Sequence, residues 1–420
     1  MTILTGTPAP APLRRHRDFR LLWVGQTVSA VGSNVTAVAL PLVAVAALDA
    51  STFGVAALTA AAWLPWLLVG LPAGAWVDRI RRRPVLIGGD LVSAALFLSV
   101  PVAALAGLLT VGQLLVVAFG AGLARVFAET AEQVYLPTLL HPEQVPEGNA
   151  KLHASRTASY LVGPGLAGLI AQLAGAVTAV LLDALSFLVS AACLRRIRTV
   201  EPPPVRPAGA STLRREVADG LRFVLHDPYL RVLTLFGAAS NIGLTGYQAV
   251  LVVFLVRSAG LPAGAVGLLI GLAGVGGILG ALLATTLGRR LGTGRALLVA
   301  AALTGPPALL IPLAGPGVRV LWLVLGGALV SLGVAVGNVV KGSFRQTYTP
   351  HRLLGRVTVS MQLLNYGTIP VAAVLAGVLG AMWGPAGAIR LTTAWLAATP
   401  LILLLGPLRR RRDLPAAPGR

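Results

Sequence analysis

The chemistry of this sequence is carried by a few charged residues inside long apolar stretches. Arg125, Glu129 and Glu132 are spaced four and three residues apart, which puts them on one face of a helix. Asp183 stands alone in a later apolar stretch. A charge at the centre of a membrane helix costs about 2.5–3.5 kcal/mol, so each of these residues needs a reason to be there.

A carboxylate beside an arginine is suited to proton transfer, because burial favours its neutral form while the arginine favours its charged form. We therefore expect Glu129 to carry protons, with Arg125 tuning it and Glu132 belonging to the same charged face. Asp183 is the second candidate. The alternative is that Arg125 and Glu129 only form a structural pair while Glu132 lies at the membrane rim.

Uncharged polar side chains form stripes on three apolar stretches. They predict either substrate contacts in a central cavity or hydrogen bonds between helices that never touch a ligand. The residues are Gln26, Ser29, Ser33 and Asn34 in the first stretch, Asn241, Thr245 and Gln248 in the seventh, and Gln362, Asn365 and Tyr366 in the eleventh.

The elements that must position these residues are membrane helices. Of 420 residues, 56% are hydrophobic and 11% are charged, and the mean hydropathy is +0.81, values far from those of a soluble domain. About 20 helical residues cross about 30 Å of hydrocarbon. Stretches of that kind lie near 21–47, 53–77, 84–106, 110–134, 150–174, 176–194, 230–255, 264–287, 295–314, 318–340, 356–380 and 385–407. The sequence predicts an all-α integral membrane protein with twelve transmembrane helices.

The two halves of the chain repeat each other. Arg20, Ser29 and Gly32 return as Arg231, Ser240 and Gly243, a shift of 211 residues, and the segment 133–137 returns as 346–350, a shift of 213. Two collinear matches indicate a duplication, which is how many secondary transporters are built. We expect two pseudo-symmetric six-helix halves at 19–197 and 229–408, with a tail at 1–18, a central loop at 198–228 and a basic tail at 409–420.

Basic residues predict which side each loop faces. They cluster in alternate loops: Arg14 to Arg20, Arg79 to Arg83, Lys151 and Arg156, Arg195 to Arg231, Arg289 to Arg295, Lys341 to Arg356, and Arg409 to Arg412. The positive-inside rule then puts both termini and the central loop in the cytoplasm of a multi-pass plasma-membrane protein. The net charge of +20 is expected to meet anionic lipid head groups on that face and not nucleic acid.

The loop after the second span carries the most specific motif. Gly74, Asp78, Arg79, Arg82 and Arg83 follow the pattern Gly-x-x-x-Asp-Arg-x-x-Arg-Arg, which resembles the loop signature of the major facilitator superfamily. The resemblance implies a conformational gate whose ion pairs hold the cytoplasmic halves together in one state. The alternative is a positive-inside turn with an incidental acid. The matching loop 288–295 has arginines but no acid, so the latch is expected to be asymmetric.

The fifth span contains Gly163, Pro164 and Gly168, which resemble the antiporter motif of exporters in that superfamily with its paired glycines displaced. Arg125 is similar to the single arginine that those exporters place in the fourth helix. Segment 127–168 and the opening 19–32 look like the macrolide-efflux and siderophore-exporter branch. This resemblance implies a protein that exchanges protons for amphipathic organic molecules.

The sequence is therefore interpreted as a monomeric, proton-coupled exporter of a small organic molecule that needs no cofactor and no metal, the proton gradient being its energy source. An importer or lipid-moving facilitator of the same fold remains an alternative. An integral-membrane enzyme is disfavoured, because the five histidines lack metal-site spacing and no Gly-x-Ser-x-Gly or phosphate-binding loop occurs. A membrane sensor would need a folded domain for which the chain has no room.

Overall fold

A computed structural model of the chain describes residues 13–77, 79–201, 213–409 and 411–415. These residues are almost entirely helical. The helices of the described residues are α1 (Arg17–Ala46), α2 (Thr52–Val77), α3 (Arg82–Leu105), α4 (Val111–Leu139), α5 (Val145–Ala174), α6 (Ala176–Arg195), α7 (Leu213–His226), α8 (Pro228–Val253), α9 (Ala263–Leu291), α10 (Thr293–Thr304), α11 (Val320–Tyr348), α12 (His351–Ala398) and α13 (Pro400–Leu405). A π-helical turn, Phe254–Ser258, continues α8, and a 3-10 segment, Pro306–Leu313, continues α10.

The prediction of twelve transmembrane helices is confirmed. In the described part of the chain, eleven helical segments are long and apolar enough to cross a membrane, and the last of them runs from Leu353 to Leu405. Its 53 residues would extend about 80 Å as one straight helix, far more than one bilayer needs. Trp383 and Gly384 break it, since their backbone is not helical and Gly384 has a φ of 70°, which glycine adopts without strain. This segment therefore crosses twice.

Many of the basic residues predicted to lie in loops lie inside helices instead, four of them in α5 and α11. Lys151 and Arg156 belong to α5, and Lys341 and Arg345 belong to α11. These helices contain 30 and 29 residues, whereas about 20 helical residues are enough to cross the hydrocarbon core of a membrane. The loops predicted from the basic residues therefore include helix ends. A cluster of charges shows where the apolar part of a helix stops, but the helix itself continues beyond it.

The buried apolar side chains form three clusters that reveal the arrangement of the halves. One cluster, here the N-terminal core, includes Phe19, Leu86 and Tyr135 and contains only residues before 198. A second, the C-terminal core, includes Leu230 and Phe344 and contains only residues after 223. Successive helices run in opposite directions, so the start of one helix lies beside the end of the next. Both clusters consist of such starts and ends, and they lie at the end of the molecule where α1 and α8 begin.

The third cluster joins the two halves and is here called the shared core. It combines the far end of α1, including Val38 and Val43, with the far end of α8, including Val250 and Leu255. Helix α2 packs along α12, and α5 packs along α9. The halves are thus sealed together at the end opposite the start of α1, and no buried apolar cluster of the described residues joins them at the other end.

Candidate functional site

The charged face of α4 divides into two separate ion pairs. The Arg125 Nε donates to the Glu129 Oε1 at 2.6 Å, one turn along the same helix. Glu132, which is buried, instead accepts from the Arg156 guanidinium of α5. Glu132 thus belongs to a contact between α4 and α5 that is separate from the Arg125–Glu129 pair.

Aromatic side chains connect Arg125 to the other half. The Arg125 guanidinium lies 5.6 Å from the centre of the Trp63 ring of α2, a cation–π distance. Trp63 and Trp66 both contact the Tyr366 ring of α12, with ring centres 5.8 and 5.7 Å apart. More than half of the Arg125 side chain remains accessible. Arg125 and Glu129, predicted as one charged face, and Tyr366, predicted as part of a polar stripe, therefore lie in one place beside the seam between α2 and α12.

Two further acids are buried in the N-terminal half away from that seam. Asp183 of α6 is completely buried, accepts from the Ser186 hydroxyl at 3.1 Å and lies against Gly32 of α1. Asp90 of α3 is 6% exposed and within electrostatic range of Glu132. Sequence reasoning missed Asp90, although a lone acid in a predicted span was the signal that could have identified it.

The polar stripes are used partly for contacts between helices. Asn34 lies against Gly163 of α5 and donates to its own helix at the Ala30 carbonyl. The Asn241 amide of α8 donates to the Asn365 carbonyl of α12 at 3.0 Å. Of the other stripe residues, Ser29 is buried, Gln248 and Gln362 are exposed, and Gln26, Ser33 and Thr245 are half-buried. Their substrate contacts stay predictions.

The loop motif is engaged within the N-terminal half. Asp78 lies outside the described residues. The Glu201 carboxylate accepts from the backbone N–H groups of Arg82 and Arg83 at 2.7 and 3.2 Å, and so caps the start of α3. The Arg83 guanidinium donates to the carbonyls of Leu194 and Arg195 at the end of α6. In this conformation Arg83 therefore ties α3 to the end of α6, and Arg82 ties it to Glu201 in the segment that follows α6.

Two other members of the motif, Gly74 and Arg79, make no close cross-half approach here. A Cβ added at Gly74 would meet nothing within 4 Å, and Arg79 is exposed. The second half supplies the acid that its loop lacks from a distant segment: the Asp413 carboxylate accepts from the Thr293 N–H at 2.9 Å and caps α10. Asp413 follows Glu201 by 212 residues, the spacing of the repeat, so the two caps are equivalent.

Gly163, Pro164 and Gly168 serve close helix crossings on both sides of α5. A Cβ at Gly163 would collide with Asn34 of α1, and one at Gly168 would meet the Gly264 carbonyl and the Gly267 Cα of α9 at 2.8 and 2.9 Å. Small residues on facing helices allow such backbone contact in membranes. The predicted motif thus helps to form the seam between the two halves.

An ion pair spans the sealed end of the molecule. Asp49, after α1, accepts from Arg257, after α8, at 2.5 Å. Asp49 is almost fully exposed, so this pair stabilises the sealed end by at most about 1 kcal/mol. The described residues contain no group of three or more possible metal ligands.

We expect that joining these two positions will stop turnover. In a Cys193→Ala background, Asp49→Cys with Arg257→Cys should react with a short membrane-impermeant bifunctional thiol reagent added outside intact cells, and transport should fall at least about tenfold until a reductant cleaves the link. The control pair Ser99→Cys with Gln113→Cys joins α3 to α4 within one half, where the Gln113 amide contacts the Ser99 carbonyl. It should cross-link without loss of transport. Continued turnover of the linked 49–257 protein would show that this end need not open.

The chain is similar to known proteins in family, in sequence and in fold. A family model described as transmembrane secretion effector matches residues 7–418. The chain is 30% identical to the multidrug efflux pump Tap of Mycolicibacterium fortuitum, over 95% of this chain and 97% of that protein. It is 25% identical to the enterobactin exporter EntS of Citrobacter koseri, over 97% and 96% of the respective chains. Its fold resembles an inward-facing bacterial homologue of the iron transporter ferroportin, with TM-score 0.72, 18% identity and coverage of 96% and 100%.

Proposed function

This chain belongs to the transmembrane secretion effector family of the major facilitator superfamily, and on that premise we propose that it exports a small amphipathic organic molecule in exchange for protons. Its relatives include proteins named as efflux pumps and siderophore exporters. The observation that carries the proposal is the Arg125–Glu129 ion pair beside Trp63 and Tyr366. A titratable pair at the seam between two moving halves is positioned to link protonation to movement.

The proposed cycle is alternating access between the two six-helix halves. The end where α1 begins carries the basic clusters, so the positive-inside rule assigns it to the cytoplasm. The conformation described above is then open to the inside and sealed outside by the shared core and by the Asp49–Arg257 pair. An amphipathic molecule would enter from the cytoplasm or inner leaflet, and its aromatic or apolar parts would pack near Trp63, Trp66 and Tyr366.

Protons would drive the cycle through Glu129. In the inward-open conformation the Glu129 carboxylate pairs with the Arg125 guanidinium, and in this scheme the pair forms once Glu129 has given its proton to the cytoplasm. Rebinding of a proton from outside would break the ion pair, the halves would return with a neutral Glu129, and the pair would re-form after the proton leaves to the cytoplasm. In this scheme the protein is not an enzyme and needs no cofactor.

Transport in everted membrane vesicles tests the direction and the energy source together. Cells that overexpress the protein should tolerate higher concentrations of at least one antibiotic in a panel, and everted vesicles should accumulate that antibiotic only while their interior is acidic. A protonophore should abolish the accumulation. Accumulation only in right-side-out vesicles would overturn the export direction and favour an importer.

A further inference from the structure

The C-terminal half contains two cations for which its own sequence offers no partner. Lys341 and Arg345 lie one turn apart on α11. Between residues 228 and 412 the chain contains no aspartate and no glutamate. None of the salt bridges among the described residues involves either cation. Like charges one turn apart repel, so the pair calls for a counter-charge.

The repeat makes the imbalance clear. By the shift of 213 residues, Arg345 occupies the position that Glu132 holds in the first half. Glu132 is neutralised by Arg156, and Arg125 by Glu129, so the charged face of α4 is balanced. Two acids at the ends of the second half make other contacts: Asp227 accepts from the start of α8 and from the Tyr348 hydroxyl, and Asp413 caps α10. On α11, by contrast, no ion pair among the described residues includes Lys341 or Arg345.

Lys341 does not extend to the nearest head groups. Its Cε lies 3.9 Å from where a Cβ of Gly337 would stand, so the side chain runs back over the preceding turn, away from the end of α11. Its Nζ lies 5.6 Å from the centre of the Phe236 ring of α8. A lysine that avoids the membrane by snorkelling would extend the opposite way, toward the interface. The ammonium is thus directed between α8 and α11, within the C-terminal half.

Arg345 and Tyr366 connect this charge to the seam between the halves. The Arg345 Nε is buried and makes no hydrogen bond with the described residues. Arg345, Arg125 and Glu129 all lie within electrostatic range of the Tyr366 hydroxyl. A Cβ added at Gly342, on the same turn as both cations, would meet nothing within 4 Å. Two cations and open space thus lie on the same turn of α11, and the Tyr366 hydroxyl of α12 lies within electrostatic range of Arg345.

We propose that Lys341 and Arg345 bind the anionic group of the transported molecule, so that the substrate class is an aromatic or apolar compound carrying a carboxylate or another acidic group. This rests on the proposed export function and specifies its substrate. Charge-assisted hydrogen bonds from an ammonium and a guanidinium are the strong contacts available to a carboxylate. The neighbouring Phe236 and Tyr366 rings would hold the apolar part.

Paired aromatic probes of equal shape test the charge requirement. We would measure binding of 2-naphthoate and 2-naphthamide to the full chain in nanodiscs of phosphatidylcholine. The wild type should bind the carboxylate at least about tenfold more tightly than the amide. Lys341→Gln with Arg345→Gln should reduce that preference to about twofold or less while amide binding stays within about twofold of wild type.

Controls separate the site from net charge and from folding. Arg289→Gln with Arg290→Gln removes two cations from the end of α9 and should leave the preference unchanged, and Arg345→Lys, which keeps the charge, should retain most of it. Adding phosphatidylglycerol to the nanodiscs distinguishes the source of the anion: competition with naphthoate only in the protein with both cations would assign the site to a lipid head group and overturn the substrate assignment. The substrate assignment would also be overturned if the wild type bound both probes equally. It would likewise be overturned if the double variant kept the same preference for the carboxylate as the wild type.

Transport assays distinguish failure of the proposed export function from failure of the proposed anion site. If the wild type carries neither probe nor any panel antibiotic in proteoliposomes, the export function fails whatever the binding preference. If it exports antibiotics but shows no preference for the carboxylate, only the anion site fails.

Discussion

Glu129→Gln is expected to abolish uphill, gradient-driven efflux while downhill exchange of substrate continues. The glutamine cannot take up a proton and cannot form an ion pair with Arg125, whose Nε lies 2.6 Å from the Glu129 carboxylate. The two halves should still alternate, but no proton movement would be linked to them. In proteoliposomes with an imposed pH gradient, the concentration ratio of substrate should fall at least about tenfold toward unity.

A matched pair in the same protein provides the control. Glu147 and Lys151 form an ion pair of the same spacing on α5, with the Lys151 Nζ 2.7 Å from the Glu147 carboxylate, but they lie near the start of that helix and away from the seam. Glu147→Gln should leave gradient-driven efflux within about twofold of wild type. Full accumulation by Glu129→Gln would eliminate Glu129 as the carrier, and Asp183→Asn and Asp90→Asn would then be compared in the same assay.

The second large effect is expected from one methyl group at the α5–α9 crossing. Gly168→Ala would place its Cβ 2.8 Å from the Gly264 carbonyl and 2.9 Å from the Gly267 Cα, which are backbone atoms that cannot rotate away. Overpacking of this kind costs about 1–3 kcal/mol, and that cost falls on the conformation in which these helices touch. We expect its population to fall about 5- to 150-fold relative to the alternative, and transport to slow accordingly.

Gly165→Ala is the control, because a Cβ at Gly165 of the same helix would meet nothing within 4 Å. It should transport at least as well as wild type, since alanine also favours a helix more than glycine does. Accessibility of cysteines placed at 49 and 257 would measure the conformational shift directly. Equal behaviour of the two variants would contradict a specific role for this crossing.

The local properties of the sequence were sufficient for much of the fold. Apolar runs of about 20 residues identified every membrane crossing, including the last two, which the Trp383–Gly384 break separates as expected. Hydrophobicity and helix length act over one element at a time, so they can be read without knowing any neighbour. The loop motif and the repeat were likewise visible because they are patterns along the chain. The same periodicity put Arg125 and Glu129 on one face, where they pair.

Partners on other helices were decided only by the tertiary structure. The helical spacing gave Glu132 the same face as Glu129, yet α5 supplies Arg156 to it. Nothing in the second-half loop indicated that Asp413, more than a hundred residues later, caps α10. Lys341 was predicted to lie in a loop, whereas α11 carries it inside the bundle toward Phe236. In each case the sequence determined which charges are present, but packing of helices far apart in the chain determined which of them form ion pairs or cap a helix and which do not.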